Sequence, residues 1–260
     1  GSPFVSANVA AALIKAVGPM QTFFYMGVAF LAIVVVCFAP FRFPKDGWLP
    51  AGWKPAATAA SSTVDLNTGE MIKTSTFLGL FLCYIIGCLA GLMAIGISAS
   101  VAQEIIKIDP ATAATLVGVF AIFNGVGRPL FGVLTDKLSP KVAALISFVL
   151  ILVCSLGMLA AGPGSVMLYT LCFIGFWLVL GGWLAIAPTA TTIFFGVKNY
   201  AKNYGLIYFA YGIGAILGGI IAGQAKDTFG SFTVAFYPTA GLAVLGILIA
   251  MALMKPVRKA

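Results

Sequence analysis

Polar and apolar residues fall in long blocks along this chain, not in short-period alternation. One partial apolar run covers about 3 to 17, and seven full runs follow at about 20–40, 75–101, 111–135, 142–161, 166–195, 204–225 and 232–254. Each full run reaches the roughly 20 mostly apolar residues that a helix needs to cross hydrocarbon. The pattern therefore predicts an all-α integral membrane protein, one span before a long polar gap and six after it. That gap, 41–74, is rich in Pro, Ala, Ser and Thr and reads as a linker on the membrane surface. It separates residues 1–40 from a six-helix block at 75–256, which leaves 257–260 as a tail. The opening "GSPFVSANVAAALIKAVGP" lacks the basic start and small-residue cleavage pattern of a signal peptide, and is expected to be a helix entered part-way.

Composition agrees with the blocks: 61% of the 260 residues are hydrophobic and only 8% are charged. A net charge of +8 could point to nucleic acid, but the 15 basic residues sit singly at segment ends and form no stripe. Membrane orientation accounts for them instead. With the linker placed in the cytoplasm, eleven Lys and Arg fall on that side, and three (Lys15, Lys107 and Lys226) fall on the other. The expectation is a multi-pass protein of the cell membrane, with linker and C-terminus cytoplasmic. The five cysteines lie inside apolar runs without C-x-x-C spacing and read as small buried hydrophobes. With no histidine in the chain, no metal site or cofactor is expected.

The remaining basic residue, Arg128, belongs to neither side. It lies within a span, roughly 9 Å from its cytoplasmic end by helix rise. A charge at membrane depth costs about 2.5 to 3.5 kcal/mol on insertion scales and usually lines a cavity or a substrate path. Snorkelling to the interface is the competing reading. Against it, Asn124 lies one turn away on the same face, Gly125 and Gly127 clear space, and no span holds an acid to neutralise the charge. A guanidinium fork matches a carboxylate with two parallel charge-assisted hydrogen bonds, so the missing counter-ion is expected to be the substrate. Asn124 either donates to the same carboxylate or holds the arginine rotamer.

Tyr204, Tyr208 and Tyr211 recur at i, i+4 and i+7, on one helical face. Tyr204 reads as an interfacial anchor, and Tyr208 and Tyr211 as polar handles at the depth of Arg128. Gly214, Gly218, Gly219 and Gly223 give G-x-x-x-G spacing twice, a helix-packing signal. In "GVLTDKLSPK", Gly132, Asp136, Lys137 and Lys141 occupy a tight turn between two spans.

These last four residues resemble the signature loop of the major facilitator superfamily, roughly G-x-x-x-D-K/R-x-G-R-K/R, with Ser139 and Pro140 departing from it. "FNGVGRPLFGVLTDK", "KNYGLIYFAYG" and "DLNTGEMIKTSTF" together look like the oxalate:formate antiporter and bacterial monocarboxylate transporter branch, over about residues 60 to 256. The resemblance implies a helical bundle of twelve spans, of which this chain supplies the second six plus one full and one partial helix of the first. The missing N-terminal half then becomes a partner, with membrane lipid around both. It also implies that Arg128 binds the substrate carboxylate. Where the oxalate exchanger carries a second basic residue this chain has Tyr211, and where it carries two tryptophans it has Tyr208 and, near the preceding proline, Leu180. One charge and an aliphatic wall suit a lactate- or pyruvate-like monocarboxylate better than oxalate, the antiport alternative. Animal relatives place an acid for proton coupling at the position of Asn124, which cannot titrate. Coupling is then expected to use the substrate's own proton, the phenols, or an acid elsewhere. Asp136, Lys137 and Lys141 would form a cytoplasmic latch. An inactive isolated half is the further alternative, and an intramembrane enzyme is disfavoured because no histidine or paired acid lies at membrane depth.

Overall fold

In hydrocarbon each backbone N–H and C=O must find its partner within the segment, so the apolar blocks can only be helices. A computed structural model describes residues 2–42 and 64–257. The middle of the expected linker, 43–63 with Lys45 and Lys54, and the tail from 258, with Arg258 and Lys259, lie outside the described residues. The helices are α1 (Ser2–Val17), α2 (Pro19–Phe38), a one-turn α3 (Thr68–Met71), α4 (Ser75–Val101), α5 (Pro110–Lys137), α6 (Pro140–Ala160), α7 (Val166–Phe195), α8 (Tyr200–Phe229) and α9 (Phe236–Leu253). Among the described residues, seven helices are long and apolar enough to cross a membrane.

Helix ends follow capping chemistry. Pro110 and Pro140 open α5 and α6, where their missing N–H is no loss. Asp109 caps α5 by accepting from the N–H groups of Ala111 and Thr112, both at 3.0 Å. Two spans outrun the expected bounds. α8 runs a turn further at each end, because no breaker intervenes before Gly230, which ends it in the left-handed conformation at φ 71°. α4 continues into a π-helical turn, Ala102–Ile106, closed by Lys107 at φ 65°.

The chain divides into two compact units, residues 1–59 and 60–260. In the first, α1 and α2 meet at Gly18 (φ 81°), and Thr22 donates to the Gly18 carbonyl at 2.8 Å. Cys37 is exposed on α2, against the expectation for cysteines, because the second helix of a two-helix unit has little to bury it. Cys83, Cys88, Cys154 and Cys172 are buried as expected.

In the second unit α4 and α7 form the centre. α5 lies along α7, α8 along α4, and α6 and α9 close the back. α5 and α8 thus stand as the banks of a groove whose floor is α4 and α7. The floor is filled by aromatic side chains, among them Trp183, Tyr84 and Phe173, all fully buried. Gly214 and Gly218 let α8 approach α4: a Cβ on either would lie 2.8 Å from the carbonyl oxygens of Ile85 and Leu89. Gly219 and Gly223 meet nothing within 4 Å, so only the first of the two G-x-x-x-G pairs packs among the described residues.

The segment 64–74 is docked onto this unit. Asn203 is fully buried and takes its partners from it. Its amide donates to the Leu66 carbonyl at 3.0 Å, and its carbonyl accepts from the Thr68 hydroxyl at 2.9 Å. Asn199 also donates to Leu66, at 3.1 Å, and the Leu66 N–H donates to Phe195 at 2.9 Å. Gly196, at φ 90°, passes so close to Asp65 that a side chain there would collide with it.

Asn203→Ala strands the Thr68 hydroxyl. It is expected to destabilise the docked segment by about 1–3 kcal/mol, read as faster amide exchange at Leu66, with Asn199→Ala having a smaller effect. Asp109 titrates below the ordinary carboxylate range, chiefly through its hydrogen bonds with Thr112. A depressed folded value stabilises the charged cap above the ordinary range and loses that support as pH falls through the lowered value. Protection at Ala111 and Thr112, measured as exchange relative to the intrinsic rate at each pH, is therefore expected to fall below about pH 4, and Asp109→Ala to remove that pH dependence of protection.

Candidate functional site

The turn of α5 that carries Arg128 is fixed by backbone contact with α7. A Cβ on Gly127 would collide with the Leu178 carbonyl, and one on Gly181 with the carbonyl of Asn124. Gly182 is filled in turn by the Phe131 ring, at 2.5 Å from where its Cβ would be. Gly127 therefore does not clear space around Arg128 as its sequence suggested. Its missing side chain is occupied by α7, and Gly125, with nothing within 4 Å, supplies the open space. With Gly127 buried, the 100° step to its neighbour turns Arg128 out to the exposed face. Pro129 follows at once inside the helix. It has no N–H to offer the Gly125 carbonyl four residues back, which adds an acceptor to the same turn.

Arg128 has no hydrogen-bond or ion-pair partner among the described residues. It lies nine residues from the Lys137 end of α5, about 14 Å along the axis. Its charge is within electrostatic reach of the Tyr211 phenol on α8, across the groove. Asn124 is half-buried, and its amide donates to the Trp177 carbonyl of α7 at 3.1 Å. The Trp177 indole donates to the Ser98 hydroxyl at 3.2 Å, and Tyr169 donates to the Ser98 carbonyl at 2.8 Å. A polar chain thus ties the arginine's helix through α7 to α4. One N–H of Asn124 is committed to this chain, which leaves its carbonyl oxygen and its second N–H for the groove.

On α8 the tyrosines form a continuous ladder. Tyr200 stacks on Tyr204 at 5.5 Å between centroids, Tyr204 meets Tyr208 at 5.8 Å, and Tyr208 stacks on Tyr211 at 5.3 Å with rings within 4° of parallel. Tyr204 is thus part of the ladder and packs against the core. Tyr208 is 44% exposed, and Tyr211 is half-buried. A hollow of about 250 Å³ lies beside them, lined by Gly205, Tyr208, Phe209, Tyr211 and Gly212.

The structure brings Arg128, Asn124, Tyr208 and Tyr211 to the two banks of one groove. Leu180 is not brought there: it is 2% exposed and packs on α4, 2.5 Å from where a Cβ of Gly91 would lie. At the end of α5, Asp136 and Lys137 are exposed, and Gly132 has nothing within 4 Å of its Cβ position. Lys141 donates to the Met251 carbonyl at 2.9 Å, capping the end of α9. Sequence reasoning missed Trp177, Ser98 and Tyr84. Ser98 and Trp177 do carry a signal, as hydrogen-bonding side chains inside apolar runs.

The comparisons with known proteins bear on this arrangement. Residues 80–260 match the family model of the Major Facilitator Superfamily. The chain is 32% identical over 153 residues to the MFS-type transporter YhjX of Escherichia coli K12, covering 58% of this chain and 38% of that protein. It is 26% identical over 235 residues to the oxalate:formate antiporter of Oxalobacter formigenes, covering 88% of this chain and 53% of that protein. Over 184 residues it is 27% identical to mouse monocarboxylate transporter 9, covering 69% of this chain and 35% of that protein. The chain thus spans about half or less of the length of these relatives. An all-helical unit of six membrane-length helices, matched over most of its length by this model, belongs to the Major Facilitator Superfamily.

Proposed function

We propose that the protein is a secondary transporter of small monocarboxylates of the lactate or pyruvate type, working by alternating access with Arg128 as the carboxylate ligand. The observation that carries this is Arg128 itself, exposed at membrane depth, without a protein acid among the described residues, and facing the phenols of α8. A carboxylate arriving there completes the guanidinium fork. The free polar atoms of Asn124 and the hydroxyls of Tyr208 and Tyr211 surround the same space.

Transport is proton-linked in this proposal. The relevant acid is the substrate's own carboxyl or one beyond this chain, since Asn124 does not titrate. Helices of a first half close the other side of the site, and the two halves rock around it. Asp136 and Lys137, exposed and at the membrane surface, suit a cytoplasmic latch between halves. This puts the linker and C-terminus of a cell-membrane protein in the cytoplasm. Exchange of the oxalate and formate type is the second reading, favoured by the likeness to the Oxalobacter antiporter over 88% of the chain. Against oxalate stands Tyr211, where the resemblance puts a second positive charge.

Uptake of labelled lactate into liposomes holding the full-length protein tests the proposal. Arg128→Ala is expected to lower transport about a hundredfold and Arg128→Lys about tenfold, the order of one or two charge-assisted hydrogen bonds. Wild-type rates in both variants would refute the role. Tyr211→Lys is expected to raise oxalate binding relative to lactate about tenfold by adding a second charged donor. An unchanged ratio would overturn the placement of Tyr211 beside the substrate.

A further inference from the structure

Three buried side-chain polar atoms make no hydrogen bond among the described residues: Tyr84 Oη, Ser155 Oγ and Trp183 Nε1. Inside a bilayer no water can take up such a group, so an unmade bond there calls for an explanation. Trp183 Nε1 is pressed against Gly87 in the packed floor, where nothing else can enter. Tyr84 is placed differently. Its ring stacks on Trp183 at 5.8 Å and tilts against Tyr208 at 6.5 Å. Tyr84 is fully buried whereas Tyr208 is 44% exposed, so a single phenol ring separates Tyr84 from the groove. The Tyr204 hydroxyl is its polar neighbour, the two phenols interacting without reaching full hydrogen-bond geometry.

The depths coincide. Tyr84 is nine residues into α4 from Ser75, and Arg128 nine residues before the Lys137 end of α5, both about 14 Å from the same face. Tyr208, eight residues into α8, is at about 12 Å. The three therefore share one level of the bundle, and exposed side chains such as Tyr208 change rotamer in nanoseconds.

We propose that Tyr84 is a further specificity-determining residue: behind Tyr208, its hydroxyl reads a hydroxyl or carbonyl at the end of the substrate away from the carboxylate. This rests on the carboxylate site at Arg128. The phenols of Tyr211 and Tyr208 stand between the guanidinium's reach and this hydroxyl, with 5.3 Å between the centres of Tyr211 and Tyr208 and 6.5 Å between those of Tyr208 and Tyr84. A ligand held by its carboxylate at Arg128 and reaching past both rings is a longer monocarboxylate with a flat or apolar middle and a distal oxygen. The hollow beside Tyr208 and Tyr211 receives that middle part. The site then takes aryl-substituted or extended hydroxy acids in addition to short ones.

The test measures binding of propionate, hydrocinnamate and para-hydroxyhydrocinnamate to the full-length protein and to Tyr84→Phe, which keeps the ring and removes the hydroxyl. The wild type is expected to hold the para-hydroxy acid about tenfold more tightly than hydrocinnamate, the order of one added hydrogen bond. In Tyr84→Phe that preference disappears while propionate binds as before, which also shows that the variant is folded. No preference in the wild type, a preference kept in the variant, or an equal loss of all three acids overturns the role of Tyr84 and leaves the carboxylate site standing. A wild type that binds none of the three acids removes the carboxylate site and this inference with it.

Discussion

The backbone approach of α5 to α7 sets everything else in the groove. Gly127 against Leu178 and Gly181 against Asn124 leave no room for a single methyl group between the two helices. Packed interiors transmit such constraints because they have no slack. A helix held that closely cannot rotate, so the direction of each side chain on it follows from the direction of its glycines. Arg128 faces outward because its neighbour must face inward, not because a partner draws it out. Pro129 has no amide hydrogen to give, so the same turn also carries a carbonyl without its usual helical donor.

The groove's banks are held at both ends by different means. At the end where α8 begins, the docked segment is tied to α8 through a buried asparagine with partners on both its amide and its carbonyl, and to α7 through the Leu66 N–H. At the far end, Glu104 in the π-helical turn of α4 pairs with Lys226 of α8, and that ammonium also lies 5.3 Å over the Phe232 ring. Both ion-pair partners are partly exposed, so their bond is weak and easily screened. The asparagine bond is buried and much harder to replace. α8 is therefore anchored firmly at one end and lightly at the other, with the tyrosine ladder starting at the firm end.

Much of the fold could be read from the residues, because span length and charge placement are properties of single segments. The helix set, the order around the polar gap, and the exposure of Arg128 with Tyr208 all follow from periodicity and from the cost of a charge in lipid. What could not be read depends on which helix meets which. Gly127 and Gly125 look alike in sequence, and only the position of α7 makes one a packing site and the other an opening. Leu180 was assigned a wall by analogy with a larger aromatic, but a leucine is short enough to be drawn into the contact with Gly91. Tyr84 carried no signal at all, since a single tyrosine in an apolar run is ordinary. Its significance comes entirely from Trp183 on one side and Tyr208 on the other.

The distribution of thiols has a practical side. Every cysteine in the six-helix unit is enclosed by side chains, and the exposed Cys37 sits on the other unit. Maleimide and spin-label reagents would thus find almost nothing to modify in the native bundle. A reporter cysteine introduced on α5 or α8 would give its signal against a nearly silent background without stripping the natural sulfurs out of the core.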